Sequence, residues 1–370
     1  MKLLFFIKTL KGGGAERVLV NLTNELVKRG HDITIALNEN ATNYDIDSRI
    51  KIHAAEQRRW YQGRNILKRL SRNKVMNHFY FLHTKEVINK VQPDVIITFL
   101  HCNMKSIIKC HGCIPIVHSE HNAYDRVLNR KGRHERFHLN RLYDKVCVLT
   151  PFDMGYAKAK GLTNVVVMPN PNTFMPMSED EYDRCFFNRR NILSCGRVND
   201  WKIKGFDIAI KMFATIANQI PKTDLDIVGP TDEKSVEVLT LLASKLNVAD
   251  RVHFLGQRSD IRELMCQHKL LLLPSRTEGF PMVVTEAMTQ GLPCVAFEKL
   301  ASSIIVDDID GVLVENDNIE GMERAVLDLL NDNKKRYRFG KEGINNVTRF
   351  SSYRIADRWD QLFQEILNDR

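Results

Sequence analysis

Residues 270–291, LLLLPSRTEGFPMVVTEAMTQG, restrict the fold more than any other part of this chain. Four consecutive leucines closed by Pro274 and Ser275 predict a strand buried on both faces, as in a parallel sheet covered by helices. Pro281 suits the first position of a helix, where its missing N–H costs nothing, and Gly291 with Pro293 beyond stops that helix. The stretch therefore reads strand, loop, helix, with the loop at the carboxyl end of the strand. In open α/β sheets ligands bind at such ends, and the free N–H groups of the helix N-terminus favour an anion such as phosphate.

Glu278 falls in that loop and Glu286 about a turn and a half into the helix. Carboxylates beside an anion site make sense as hydrogen-bond acceptors, for which sugar and ribose hydroxyls are the obvious donors. The plainer alternative makes Glu278 a loop charge and Glu286 a solvated helix residue.

Two other stretches repeat the pattern. A strand over 192–195 leads into Gly196 and Arg197, then Lys202, Lys204 and Gly205, then a helix over 206–216. A guanidinium and an ammonium at a strand end suit a diphosphate. At the amino end, a strand over 2–7 meets Gly12, Gly13 and Gly14, a helix over 15–29 and a second strand over 31–37. This βαβ unit invites a dinucleotide reading, but its glycines are consecutive and lack the G-x-G-x-x-G spacing. No nicotinamide cofactor is expected. A strand over 114–117 carries His118, Ser119, Glu120, His121 and Asn122 at its carboxyl end.

A chain of 370 residues is too long for one ordinary core and suits two α/β domains, with the boundary near residue 170. An apolar fraction of 44% argues against disorder. No apolar run reaches the ~18 residues of a membrane span, and MKLLFFIK reads as a strand without a cleavage site, so a cytoplasmic protein is expected. The charge is uneven: residues 1–170 balance to +14 and residues 171–370 to −5. The basic segment 49–74 holds Arg58, Arg59, Arg64, Lys68, Arg69, Arg72 and Lys74 with Trp60 and Tyr61 among them. It fits either interfacial contact with an anionic membrane or a solvated helix face.

The eight cysteines are scattered and read as reduced thiols. Cys110 and Cys113 form one CxxC with no second pair, so a structural loop is preferred over zinc. The Asp-x-Asp triplets at 45–47, 224–226 and 308–310 are a pattern common by chance, and no divalent metal is expected.

Taken whole, SRTEGFPMVVTEAMTQGLPCVAF resembles the E-x7-E signature of retaining nucleotide-sugar glycosyltransferases with the GT-B fold, the glycogen-synthase-like superfamily. KTLKGGGAERVLVNLTNELVKRGHDITI resembles the amino-terminal motif of bacterial polysaccharide-building members, and Gly196-Arg197 with Lys204-Gly205 resembles the GR…KG element. The resemblance runs over nearly the whole chain. It implies an α/β fold of two Rossmann-like domains facing a cleft, with a carboxyl-terminal helix crossing back to the first. The expected bounds are 1–170 for an acceptor-side domain, 171–349 for a donor domain and 350–370 for the crossover helix.

By that resemblance Glu278 contacts donor-sugar hydroxyls, Glu286 the nucleotide ribose, and the backbone of Gly279, Phe280, Met282 and Val283 the sugar and pyrophosphate. Pro281 has no N–H to contribute. Arg197 and Lys204 hold the leaving diphosphate, with Lys202 the alternative to Lys204. Gly13 and Gly14 lie near the pyrophosphate, and His121 faces the sugar, with His118 as runner-up. The implied activity is transfer of a hexose or N-acetylhexosamine, from a UDP-sugar in preference, to a lipid-linked glycan of lipopolysaccharide, O-antigen or another surface polysaccharide. It implies no metal or other cofactor, no nucleic acid, and a peripheral place on the inner face of the cytoplasmic membrane. The rivals are a nucleotide-sugar epimerase or hydrolase on the same fold and a non-catalytic membrane or nucleic-acid binding protein.

Overall fold

A computed structural model describes residues 1–55, 66–100, 102–128 and 133–369. The chain divides into two units, residues 1–171 with 352–370 and residues 172–351.

The first unit is built on a seven-stranded sheet. Its strands are β1 (Lys2–Ile7), β2 (Asp32–Leu37), β3 (Lys51–Ala54), β4 (Val95–Phe99), β5 (Ile116–Ser119), β6 (Lys145–Val148) and β7 (Val165–Val167). They lie in the order β3-β2-β1-β4-β5-β6-β7, with every pairing parallel. The second unit has six strands: β8 (Arg190–Cys195), β9 (Leu225–Val228), β10 (Val252–Phe254), β11 (His268–Leu273), β12 (Cys294–Phe297) and β13 (Gly311–Val314). Their order is β10-β9-β8-β11-β12-β13, again all parallel.

Both sheets bury both faces, which is why their strands read as apolar runs without alternation. In the first unit Leu4, Phe6, Ile96, Ile116 and Val146 share one core with Tyr124 and Ala157, while Phe5 and Phe99 meet on the other face with ring centroids 6.2 Å apart. In the second, Leu270, Leu272, Val295 and Phe297 pack against Phe206, Ile210 and Phe213 of the Phe206–Ile216 helix. Strand order reverses between β1 and β4 in one unit and between β8 and β11 in the other. Such switch points open a crevice at the carboxyl ends of the strands.

β11 begins at His268, two residues before the leucine run. Its polar entry is satisfied: the His268 ring pairs with the Leu264 carbonyl at 2.6 Å and with Asp226 at 2.9 Å. Residues 304–306, whose apolar character suggests a strand, form none. Ile304 and Ile305 are buried in a turn after the Glu298–Ala301 helix, where burial alone accounts for their composition.

The last helix, Ser352–Asn368, belongs to the first unit. It buries Ile355, Trp359, Leu362, Phe363 and Ile366 along one stripe. Arg29 of the Gly14–Lys28 helix's carboxyl end reaches Asp357 at 2.6 Å, Asp360 at 3.0 Å and the Tyr353 carbonyl at 2.7 Å. Among the described residues no helix is long and apolar enough to cross a membrane. Arg58, Arg59, Trp60, Tyr61 and Arg64 of the basic segment lie outside the described residues.

Candidate functional site

At the switch point of the second unit, three loops come together. β8 leads into 196–205, β9 into Gly229 and β11 into 274–281. They approach so closely that side chains are excluded. A Cβ on Gly205, at φ +70°, would lie 1.9 Å from the Pro274 carbonyl oxygen, and one on Gly229 would lie 1.8 Å from the Gly196 carbonyl oxygen. Only glycine meets both demands at 205.

Within this frame Lys204 Nζ donates to Glu278 Oε1 at 2.8 Å and Oε2 at 3.1 Å. Ser275 Oγ donates to the same Oε1 at 2.8 Å. The lysine stem lies over Gly196, where a Cβ would come 3.1 Å from Lys204 Cδ. The pair is largely sheltered, with side-chain exposures of 19% and 12%. Two residues that the resemblance assigns to different parts of a ligand are thus in direct contact. Lys202, the alternative to Lys204, turns its ammonium over the Trp201 ring at 5.2 Å. Arg197 is 66% exposed and its Nε meets Asp200 at 2.8 Å.

The Met282–Thr289 helix follows, and Pro281 lies one residue before it rather than inside it, with no side chain capping the first amides. Its N–H groups near Met282 and Val283 are therefore open to an anion. Phe280 is buried, its ring edge-on to Phe350 with centroids 5.5 Å apart, so only its backbone and that of Gly279 can serve a ligand. Glu286 is half-buried on this helix. Burial pushes the Cys195 thiol up, and the Glu286 carboxylate adds to the shift, which places Glu286 near the end of β8.

Sequence reasoning missed Ser275 as a partner of Glu278, and missed Arg276 with Asp207. Arg276 donates to Asp207 through both terminal nitrogens at 2.8 Å and to the Lys202 carbonyl at 2.6 Å. Asp207 is 69 residues away in sequence, and no local signal couples the two.

The first unit presents different groups at its strand ends. Gly13 precedes the Gly14–Lys28 helix, and its N–H and C=O both bond the Tyr44 hydroxyl, at 2.9 and 3.0 Å. The Glu16 side chain folds back against Gly13, within 2.3 Å of where a Cβ would stand, and burial raises its carboxyl pKa. Gly14 has open space where its Cβ would be. After β5, the His121 ring stacks on Phe99 with centroids 4.7 Å apart, and its Nε2 lies 3.0 Å from Ser119 Oγ. Burial lowers its pKa to about 4, against the pull of Glu120, so it is neutral at pH 7. Glu120 Oε1 accepts from the His121 and Asn122 backbone amides and from Asn122 Nδ2, at 2.8 to 3.0 Å. His118 is buried against Tyr143 with centroids 5.4 Å apart, so it lines the core and not the strand-end surface.

Among the described residues no group of three His, Cys, Asp or Glu is arranged to hold a metal. His111, between Cys110 and Cys113, pairs with the Ile114 carbonyl at 2.8 Å instead. Five of the six Asp-x-Asp carboxylates have protein partners: Asp47 binds Arg49, Asp224 binds Arg251 and His253, Asp226 binds His268 and Asn191, Asp308 binds Lys335, and Asp310 binds Asn346.

Comparison with known proteins gives the family. A family model described as glycosyl transferases group 1 matches residues 186–346, and one described as glycosyltransferase family 4 matches residues 12–171. An uncharacterized glycosyltransferase of Haemophilus influenzae is 30% identical over 347 residues, covering 91% of this chain and 92% of that one. A Campylobacter jejuni α-1,4-N-acetyl-D-galactosaminyltransferase, named for an undecaprenol-diphosphate-linked acceptor, is 26% identical over 100% of this chain and 99% of its own. The fold matches that of the Anabaena protein HepE, solved with UDP and glucose, at a TM-score of 0.76 and 18% identity over 98% of this chain and 99% of that one.

Proposed function

The chain belongs to the glycosyltransferases, and from that premise we propose that it moves a hexose or N-acetylhexosamine from a nucleotide-sugar, UDP-linked in preference, to a lipid-linked glycan during surface-polysaccharide synthesis. The observation that carries this reading is the Lys204–Glu278–Ser275 contact at the β8/β11 switch point, beside an uncapped helix N-terminus. One position supplies a cation for a departing diphosphate and an acceptor for sugar hydroxyls. The relatives' names favour the lipid-linked acceptor.

Chemically, the bond from the sugar's anomeric carbon to phosphate breaks and one from that carbon to the acceptor oxygen forms. Breaking it demands stabilisation of an oxocarbenium-like sugar and of the leaving diphosphate, which positioned charges supply. Lys204 and Arg197 serve the diphosphate, and the amides near Gly279, Phe280, Met282 and Val283 assist. Glu278 orients the sugar and Glu286 accepts from the ribose. Donor binding draws Lys204 from Glu278 toward phosphate, which frees the carboxylate for sugar hydroxyls. Gly13 and Gly14 are assigned to the pyrophosphate and neutral His121 to the sugar.

The reaction retains anomeric configuration: the acceptor hydroxyl attacks the face the nucleotide leaves, and its proton passes to a diphosphate oxygen. No side-chain base is needed. No divalent metal is required either, a reading supported by the engagement of five of the six Asp-x-Asp carboxylates with protein groups. The basic balance of the first unit suits an anionic membrane surface on the cytoplasmic side.

The test is transfer of label from UDP-, GDP- and ADP-sugars to a lipid fraction in excess chelator, with native protein and Glu278→Ala. Native transfer and a loss of about a hundredfold or more in the variant are expected. Undiminished transfer by Glu278→Ala removes the central assignment, and transfer restored only by magnesium or manganese removes metal independence.

A further inference from the structure

Lys204 and Glu278 are both flexible side chains, and each has many rotamers in which they do not meet. Something other than their own attraction must bring the two loops into register, because a lone ion pair at partial exposure is worth little against the entropy it costs. We propose that Arg276 and Asp207 form a positioning clamp that sets the Lys204–Glu278 geometry, and hence the rate of sugar transfer, without touching substrate. This rests on the reading of the site as a nucleotide-sugar site.

Arg276 lies two residues before Glu278 on the loop after β11. From there it grips the other loop on both sides of Lys204. Its backbone N–H donates to the Ile203 carbonyl at 2.8 Å and its guanidinium to the Lys202 carbonyl at 2.6 Å. The same guanidinium forms two parallel bonds of 2.8 Å with Asp207, in the first turn of the helix that follows Gly205. The five donors of a guanidinium, held in one plane, make such a fork stiff in a way that an ammonium cannot. The loops are also pressed together through Gly205 and Pro274, so a small rotation of either would show at Glu278.

Exposure separates this role from core packing. The Arg276 side chain is 41% exposed and Asp207 15%. The Arg276 backbone bond survives truncation of its side chain. Loss of the clamp should therefore loosen a few residues and leave the fold intact. The pair is mutually reinforcing: Asp207 raises the Arg276 pKa, and against the desolvation that would raise its own carboxyl, Arg276 holds Asp207 below its usual value.

The experiment compares Arg276→Ala, Arg276→Lys, Asp207→Asn and the double variant Arg276→Ala/Asp207→Ala with native protein. Readouts are steady-state transfer, amide exchange over 196–207 and 274–281, and thermal midpoint, with Glu278→Ala as reference. Expected are a fall in kcat of about tenfold or more for Arg276→Ala and Asp207→Asn, with a smaller change in donor KM. Arg276→Lys should fall between these and native protein, and the double variant should be no worse than either single change. Exchange should rise in the two loops only, at a nearly unchanged midpoint.

Native kcat in Arg276→Ala, or unchanged loop exchange, while Glu278→Ala is inactive, overturns the clamp and leaves the site reading standing. A loss of activity that tracks lost folded protein also overturns it. Undiminished transfer by Glu278→Ala overturns the site reading and the clamp with it; raised loop exchange in the same set would then report only a structural tie.

Discussion

The loops that follow β8 and β11 in the second unit are held differently from the loop that follows β5 in the first. In the second unit the strand-end loops are held by charge: Lys204 on Glu278, Arg276 on Asp207, Arg197 on Asp200. In the first unit Lys8 and Lys11 pair with Glu39 past β1 and β2, but at the end of β5 His121 stacks on Phe99, and Glu120 accepts from the amides of His121 and Asn122. Composition alone does not reveal this difference, since the end of β5 is held by stacking and amide bonds in the unit with the larger excess of lysine and arginine.

This contrast can be broken most forcefully at Gly205. Gly205→Ala must relieve a backbone contact and adopt a φ of +70°, at a cost of about 1–3 kcal/mol from the backbone conformation alone. Transfer should fall more than it does for loss of Arg276, and the urea midpoint should drop as well. Retention of both would show that the two loops are not tightly coupled.

A smaller effect sharpens the other side. His121 has a folded pKa of about 4 and an unfolded value of about 6.5. Between these the unfolded chain binds the extra proton, so stability rises with pH there. Its contribution is complete above the unfolded value and is lost as pH falls from about 6.5 toward about 4. His121→Gln should flatten the dependence of the urea midpoint on pH in that window by up to one proton, an outcome that titrated unfolding curves check. An unchanged slope would mean His121 is not held neutral by burial.

The smallest effect belongs to the tie between the last helix and the first unit. Arg29→Ala removes bonds to Asp357, Asp360 and Tyr353 and should cost about 1–2 kcal/mol, visible as a lowered urea midpoint with kcat unchanged. A fall in kcat at full folding would give the last helix a part in catalysis.

Much of the fold was legible because doubly buried parallel strands announce themselves as apolar runs, and glycine or proline marks where each one stops. The leucines of β11, the glycines before the first long helix and the helix over 206–216 all obey that rule. Residues 304–306 did not, because an apolar triplet whose first two members are buried after a helix has the same composition as a strand. The beginning of β11 was hidden for the opposite reason: His268 and Lys269 look like loop residues until Asp226 and Thr223 are seen to satisfy them. In the candidate site, Glu278, Lys204 and Arg197 stand out as candidates in the sequence because their residue types suit a sugar diphosphate at strand ends. Their neighbour Arg276 could not, since its meaning depends on Asp207.

By itself, then, the sequence determined that this chain forms two parallel-sheet domains with glycine- and proline-marked loops at strand ends, because period and punctuation are local properties. It also put forward the carboxylates of residues 270–291 as candidate acceptors. The tertiary structure decided what those carboxylates face. Whether a lysine 74 residues away lies on Glu278 follows from β8 and β11 being neighbours in one sheet and from the glycines that let their loops touch. Strand order and close backbone approach are global outcomes of packing, and no window of sequence contains them.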